Sequence, residues 1–297
     1  SGLAALLFGR LVRRPFIYDV QDLWPEAFAA AGLLRERSAA YRGLRLLANL
    51  VYRRADHVSV ISDEMRDNLI GKGIPPARIS VLPNWGDPDV YRPTDERDLR
   101  AQLGWEGRFV ILLAGNMGLT HGLETVIAAA GLVRDDPRLL FAFVGSGTAK
   151  ASLMAAAAGL ANVQFADQVP ATEAARLINA ADVLLIHLRP GPVGEFSVPH
   201  RIFSYLLCGK PIIAAATGTT AALVRDFACG WACPPADPAA LAATIRAAAA
   251  DPAASARLGR NGLAAATGAH GRASILRRIE RMLAATRDRA RDPGRAR

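Results

Sequence analysis

Cysteine is scarce here: three in 297 residues, with Cys229 and Cys233 four apart and no His or further Cys gathered near them. That excludes a disulfide framework and a zinc site, and it fits a reducing, cytoplasmic compartment. Aromatic residues make up only 6% of the chain, and no stacking platform or binding motif accompanies its arginines. Nucleic acid is therefore not an expected partner. No apolar run approaches the roughly 20 residues of a membrane span, and the opening "GLAALLFG" is far too short. Neither G-x-G-x-x-G nor a P-loop occurs, so dehydrogenase and kinase readings lose their main support.

What remains is a globular composition, 51% hydrophobic and 21% charged, long enough for two domains. Alanine tracts such as "MAAAAGLA" read as compositional bias. The net charge of +9 collects at the two ends. Residues 271–297 hold nine Arg against three acids, and residues 1–54 hold nine against four. The tail "TRDRARDPGRAR" reads as a solvated, disordered end. Near the start, Leu44, Leu47 and Val51 recur at helical spacing among Arg42, Arg45, Arg53 and Arg54. That pattern predicts a helix packed on a sheet by its leucines, its arginines in water. Attraction to an anionic membrane surface, the inner face of the plasma membrane, is the functional alternative.

From residue 109 onward, short apolar runs alternate with helical stretches: "FVILLAG", "LFAFVG", "VQFAD", "VLLIHL", "PIIAAA" and the weaker "GWACPP". Continuous apolar runs of this kind suit strands buried on both faces, and helices between them imply a parallel, doubly wound sheet. The first part offers three such runs, "FIYDV", "HVSVIS" and "ISVLPN". This is short of a whole domain, and the first Met is Met65, so the opening strands are expected to lie outside this sequence. The expected layout is an incomplete first domain over 1–84, a linker over 85–107 and a second domain over 108–270. A C-terminal helix and basic tail over 271–297 would complete it.

Two stretches carry the chemistry. In "LLAGNMGLTHGLETVIAAA", Gly115 and Gly118 admit a ligand close to the backbone at the start of a helix. "VGSG", with Gly145, ends the next strand. In "SVPHRIFSYLLCGKPIIAAA", Pro199 suits a first helical turn and Gly209 the residue past its end. On a helical wheel, Ile202, Phe203, Leu206 and Leu207 share one face, opposite Arg201, Ser204 and Cys208. A permanent cation at a helix start suits phosphate, and a surface arginine is the plainer reading. Two anion-friendly helix starts in one sheet favour a diphosphate. Glu195, in the loop just ahead, suits sugar hydroxyls or is simply solvated. "DPD" at 87–89 reads as a turn and not as a metal site.

In their order, "VLPNWGDPDVYRP", "LLAGNMGLTHGLETVIAAA", "FVGSG", "VQFADQVP", "AADVLLIHL", "SVPHRIFSYLLCGKPII" and "GWACPPADPAALAATI" resemble glycosyltransferase family 4. "YDVQDLWPEAFAAAGLL" resembles its subgroup for bacterial O-antigen and exopolysaccharide, which includes N-acetyl-fucosamine transferases. The resemblance implies an α/β fold of two Rossmann-like domains, GT-B, and a retaining, metal-independent transferase. It needs no cofactor. It would move sugar from a nucleotide-diphosphate donor, UDP-linked, to a lipid-linked or polysaccharide acceptor. By position, Gly115, Asn116, Met117 and Gly118 match the loop that meets the donor diphosphate, and Arg201 matches the basic residue of a Pro-x-Lys signature. Ser197, Pro199 and Gly145 fall on the same donor side. Asn116 and His121 stand where many members place Arg and Lys. Ser204 takes the second position of a glutamate pair, and Glu195 lies one residue too far to be the first. Gln21 replaces an active-site His and is followed by Asp22.

Arg201 and the loop amides would then stabilise the leaving diphosphate, while the phosphate takes the acceptor's proton. Asp22 and Glu26 would orient the acceptor, and the linker would let the domains close over the donor. Two alternatives share the fold: a nucleotide-sugar 2-epimerase and a catalytically impaired donor-binding fragment.

Overall fold

The computed structural model describes residues 2–12, 14–30 and 34–291, which form two compact units. Unit 1 comprises residues up to 84 together with the C-terminal helix, and unit 2 spans Trp85–Arg272.

Unit 1 runs α1 (Gly2–Leu11), β1 (Ile17–Val20), α2 (Glu26–Ala30), α3 (Ala39–Arg54), β2 (His57–Val60), α4 (Asp63–Gly71) and β3 (Ile79–Val81). Its strands are parallel in the order β1-β2-β3, and the central β2 is buried along its whole length. Ser38 caps α3 by accepting the Tyr41 N–H, and Ser62 caps α4 by accepting that of Met65. The expected leucine packing of α3 is not what the structure shows. Val51 and Tyr52 are buried, whereas Leu44 and Leu47 remain 41% and 40% exposed beside exposed Leu46 and Leu50. The mismatch is one of length. A 16-residue helix is about 24 Å long and a four-residue strand about 13 Å, so the sheet covers only part of α3.

Unit 2 continues with α5 (Arg97–Gln102), β4 (Phe109–Ala114), α6 (Glu124–Leu132), β5 (Leu139–Val144), α7 (Lys150–Ala156) and β6 (Val163–Ala166). There follow α8 (Ala171–Ala180), β7 (Val183–His187), α9 (Pro192–Phe196), α10 (Arg201–Leu207), β8 (Ile212–Ala215), α11 (Gly218–Asp226) and β9 (Gly230–Cys233). The helices α12 (Pro238–Ala250) and α13 (Pro252–Thr267) close the unit. All six expected apolar runs are strands, parallel, in the order β6-β5-β4-β7-β8-β9. Cores cover both faces, one around Leu112, Leu184 and Tyr205, the other around Ile111, Phe141 and Phe143. The run at β6 is half-exposed because it is an edge strand.

Residues 85–107 lie within unit 2. Trp105 is buried in its core, and Arg100 pairs with Asp182 and donates to the Ala180, Trp105 and Arg108 carbonyls. Asp87 and Asp89 both pair with Arg272. The helix α14 (Arg272–Arg291) then packs on unit 1, where Arg278 donates to the Val81 carbonyl and Arg289 to that of Ala77. The start of the basic tail, residues 286–291, is thus helical and not disordered, because Thr286 is buried on unit 1. Its last six residues lie outside the described ones. Among the described residues, no helix is long and apolar enough to cross a membrane.

Candidate active site

The strand order of unit 2 reverses at β4, which pairs with β5 on one side and β7 on the other. Ligands of open parallel sheets bind outside the strand ends at such a switch point. A cavity of about 570 Å³ lies there, with Gly115, Asn116, Gly145, Arg201 and Ser204 among its lining.

The helix α10 brings Arg201 to this cavity, and Tyr205 anchors the helix. The buried Tyr205 hydroxyl accepts the Ala114 N–H at 2.9 Å and donates to the Ala114 carbonyl at 3.2 Å. The opening turn of α10 thereby hangs over the end of β4. The Arg201 guanidinium lies against Gly115, whose φ of +123° and missing Cβ leave room for it; an added Cβ would sit 3.4 Å from Arg201 Cζ. Arg201 Nη2 donates to the Asn116 carbonyl at 2.8 Å and to His121 Nε2 at 3.3 Å. Because Arg201 has no acceptor to offer, His121 presents a bare Nε2 and is neutral. Burial first, then the adjacent Arg201, lowers its pKa to about 4.

Not every loop amide is free for a ligand. Gly115 N–H bonds to the Val144 carbonyl, Met117 N–H to that of Ser146, and His121 N–H to that of Gly118. Among the described residues, the Asn116 and Gly118 amides have no backbone partner. Met117 is a core side chain and does not face the cavity. Gly145 must be glycine: its φ is +147°, and a Cβ would fall 2.0 Å from the Gly115 carbonyl.

The two-faced reading of α10 is overturned. Ile202 to Cys208 are all buried, Ser204 and Cys208 included, because the side the wheel left to solvent faces other parts of unit 2. Ser204 lines the cavity from inside, while Cys208 sits beside Asn179. Pro199 precedes the helix and accepts the Ile202 N–H, and Gly209, at φ +66°, closes it as expected. Glu195 and Ser197 do not line the cavity. Glu195 is exposed, its carbonyl accepting from the Thr219 hydroxyl, and the Ser197 carbonyl accepts from Thr220.

Sequence reasoning missed His187. It ends β7, is 2% exposed, and donates Nδ1–H to the His121 carbonyl at 2.6 Å, while Nε2 is buried without a partner. Its ring fills the space beside Gly122, where an added Cβ would lie 3.3 Å from Cε1.

In unit 1, Gln21 and Asp22 follow β1. Gln21 donates to Asp19 at 2.6 Å and accepts from Asn84 at 2.9 Å, and Asp22 is exposed. Glu26 is half-buried, its Oε1 in an ion pair with Lys72 at 2.7 Å and its Oε2 buried with no hydrogen-bond partner among the described residues. Trp24 and Phe28 are exposed beside it, ring centroids 3.9 Å apart. Among the described residues, no three His, Cys, Asp or Glu side chains converge as metal ligands.

Two parallel-sheet α/β domains of this kind define the GT-B fold of glycosyltransferases. The chain belongs to the family Glycosyl transferases group 1, which residues 95–264 match, and residues 1–85 match a Glycosyl transferase 4-like domain. It is 31% identical over 232 residues to the probable glycosyltransferase WbjE of Pseudomonas aeruginosa, covering 76% of this chain and 58% of that protein. It is 34% identical over 176 residues to WcaI of Escherichia coli K12, a putative colanic acid biosynthesis glycosyl transferase, covering 56% and 42%. The chain thus spans about half the length of these relatives. Its fold superposes on Anabaena HepE in complex with UDP with a TM-score of 0.79 at 22% identity, covering 96% of this chain and 77% of that one.

Proposed function

We propose that this chain is the donor-binding and part of the acceptor-binding portion of a retaining glycosyltransferase in cell-surface glycan synthesis. It takes its sugar from a nucleotide-diphosphate sugar. One observation carries the reading: at the switch point of a doubly wound sheet, a guanidinium is fixed 2.8 Å from the Asn116 carbonyl at the wall of an open cavity. The relative solved with UDP-glucose supports a UDP-linked donor, and the colanic acid relative supports a surface polysaccharide as product.

The chemistry follows from charge. Breaking the bond between sugar C1 and the phosphate oxygen leaves negative charge on the diphosphate. Arg201 and the free amides of Asn116 and Gly118 meet that charge, and one such donor is worth about 3–4 kcal/mol in the transition state. The acceptor oxygen bonds to C1 on the same face, and its proton passes to the departing phosphate oxygen. No protein base is then required. Ser204 holds hydroxyls of the donor, and Asp22 orients the acceptor, a lipid-linked glycan at the membrane's inner face.

The test is thermal stabilisation by UDP-, GDP- and dTDP-sugars, followed by turnover with and without a glycan acceptor. The matching nucleotide at 100-fold its Kd adds about 2.7 kcal/mol. Consumption of donor without acceptor would point to epimerisation, and no stabilisation by any of the three overturns the donor assignment.

A further inference from the structure

Unit 1 holds a cavity of about 690 Å³ at the end of its sheet from which β2 and β3 start. Four arginines line it: Arg53 and Arg54 from the last turn of α3, Arg78 from the turn before β3, and Arg289 from α14. Three are held by the backbone. Arg53 donates to the Lys72 carbonyl at 3.2 Å, Arg78 to those of Arg53 and Ala55, and Arg289 to that of Ala77 at 3.1 Å. Arg289 also donates to His57 Nδ1 at 3.0 Å.

None of the four meets a carboxylate among the described residues. Asp56, the one acid on the wall, turns Oδ2 to the Phe16 N–H at 2.7 Å. Capping the carboxyl end of α3 accounts for Arg78, whose guanidinium meets the last carbonyls of the helix. It does not account for Arg54, which has no partner among the described residues, nor for a fourth cation brought in by a helix from the far end of the chain. Each guanidinium carries five N–H donors and spends two at most, Arg54 none among the described residues, so a set of donors is left over the cavity. Like charges gathered this way repel unless an anion joins them, and fixed guanidiniums match phosphate oxygens in geometry. His57 beside them accepts from Arg289 and adds no charge.

We propose that this cavity is a second anion site, separate from the donor cavity of unit 2, and that it takes a phosphate group, either of a free diphosphate or of a lipid headgroup. Leu46 and Leu50 lie exposed on the helix face that leads to Arg53 and Arg54, so a phosphate carried on an apolar chain has apolar surface next to it.

The experiment is titration of the whole chain with inorganic pyrophosphate while the imidazole NMR signals of His57 are followed. These report this cavity alone and do not depend on the donor reading. A saturable shift is expected, weakened about tenfold or more by Arg54→Glu, the size of one charge-assisted contact. Arg54 holds nothing in place, so the melting temperature of this variant stays unchanged. Arg289→Gln weakens the same shift. Vesicles of phosphatidylglycerol in phosphatidylcholine are then compared with phosphatidylcholine alone. Competition by the anionic vesicles identifies a headgroup, and its absence leaves a soluble phosphate as the ligand. A His57 signal that pyrophosphate does not move, or a shift that Arg54→Glu leaves intact, overturns the proposal.

Discussion

The Nδ1–H of His187 donates to the backbone carbonyl of His121 at 2.6 Å, so an imidazole buried in the sheet sets the position of the loop that carries another. His121 Nε2 in turn accepts from Arg201. A run of contacts therefore leads from β7 through the loop to α10, and Arg201 stands at its end. The site is braced from below by a residue that does not line the cavity.

Replacing Arg201 tests that end directly. Arg201→Ala is expected to lower kcat/KM for the donor sugar nucleotide by about 10²-fold or more, the scale of a lost charge-assisted contact to a leaving group. Arg201→Lys should recover part of it, since an ammonium cannot reach Asn116 and the ligand in one plane. Steady-state kinetics with varied donor decides it.

His121 links donor binding to pH. Its pKa of about 4 in the free protein keeps it neutral at pH 7, and a bound diphosphate favours the charged form. The complex therefore takes up a proton, and the affinity for UDP should rise as pH falls from about 7 towards 5. Calorimetric titration at pH 7.5 and 5.5, in buffers of different ionisation enthalpy, measures both the affinity and the proton. In His121→Gln the uptake assigned to this group should vanish.

Tyr205→Phe removes one hydroxyl and leaves the Ala114 N–H buried without its partner. Denaturant unfolding should show a loss of about 1–3 kcal/mol. Because the hydroxyl also pins α10, UDP should bind more weakly even under conditions where the variant is fully folded.

Gly145→Ala places a methyl 2.0 Å from the Gly115 carbonyl at a φ of +147°. Both strands must move apart at the cavity. A destabilisation beyond about 2 kcal/mol is expected, with donor binding abolished in whatever folds, as read by thermal melts with and without UDP.

The alternation of apolar runs and turns made the second sheet legible, because strands buried on both faces write themselves as uninterrupted Val, Ile, Leu and Phe. Arg201, Gly115 and Gly145 were legible for the same reason: each stands where a strand or helix ends. What escaped was everything set by distance along the chain. Tyr205 meets Ala114 across 91 residues, and His187 meets His121 across 66, and neither local pattern marks them apart from ordinary core. Glu26 read as an acceptor-side acid with Asp22, and its ion pair with Lys72, 46 residues away, left no local mark. The wheel of α10 failed because it assumes water on one side, where Cys208 instead meets Asn179 of α8 and Ser204 faces the cavity.

Unit 1 is built from two stretches of chain separated by the whole of unit 2, and α14 supplies the second. During synthesis the order of completion is thereby inverted. Unit 2 has its six described strands and can close as soon as residue 272 has cleared the ribosome, whereas unit 1 waits, its three described strands long since made, for α14 to arrive. Until then Arg278 and Arg289 are not there to hold Val81 and Ala77, and the sheet translated ahead of unit 2 is completed after it.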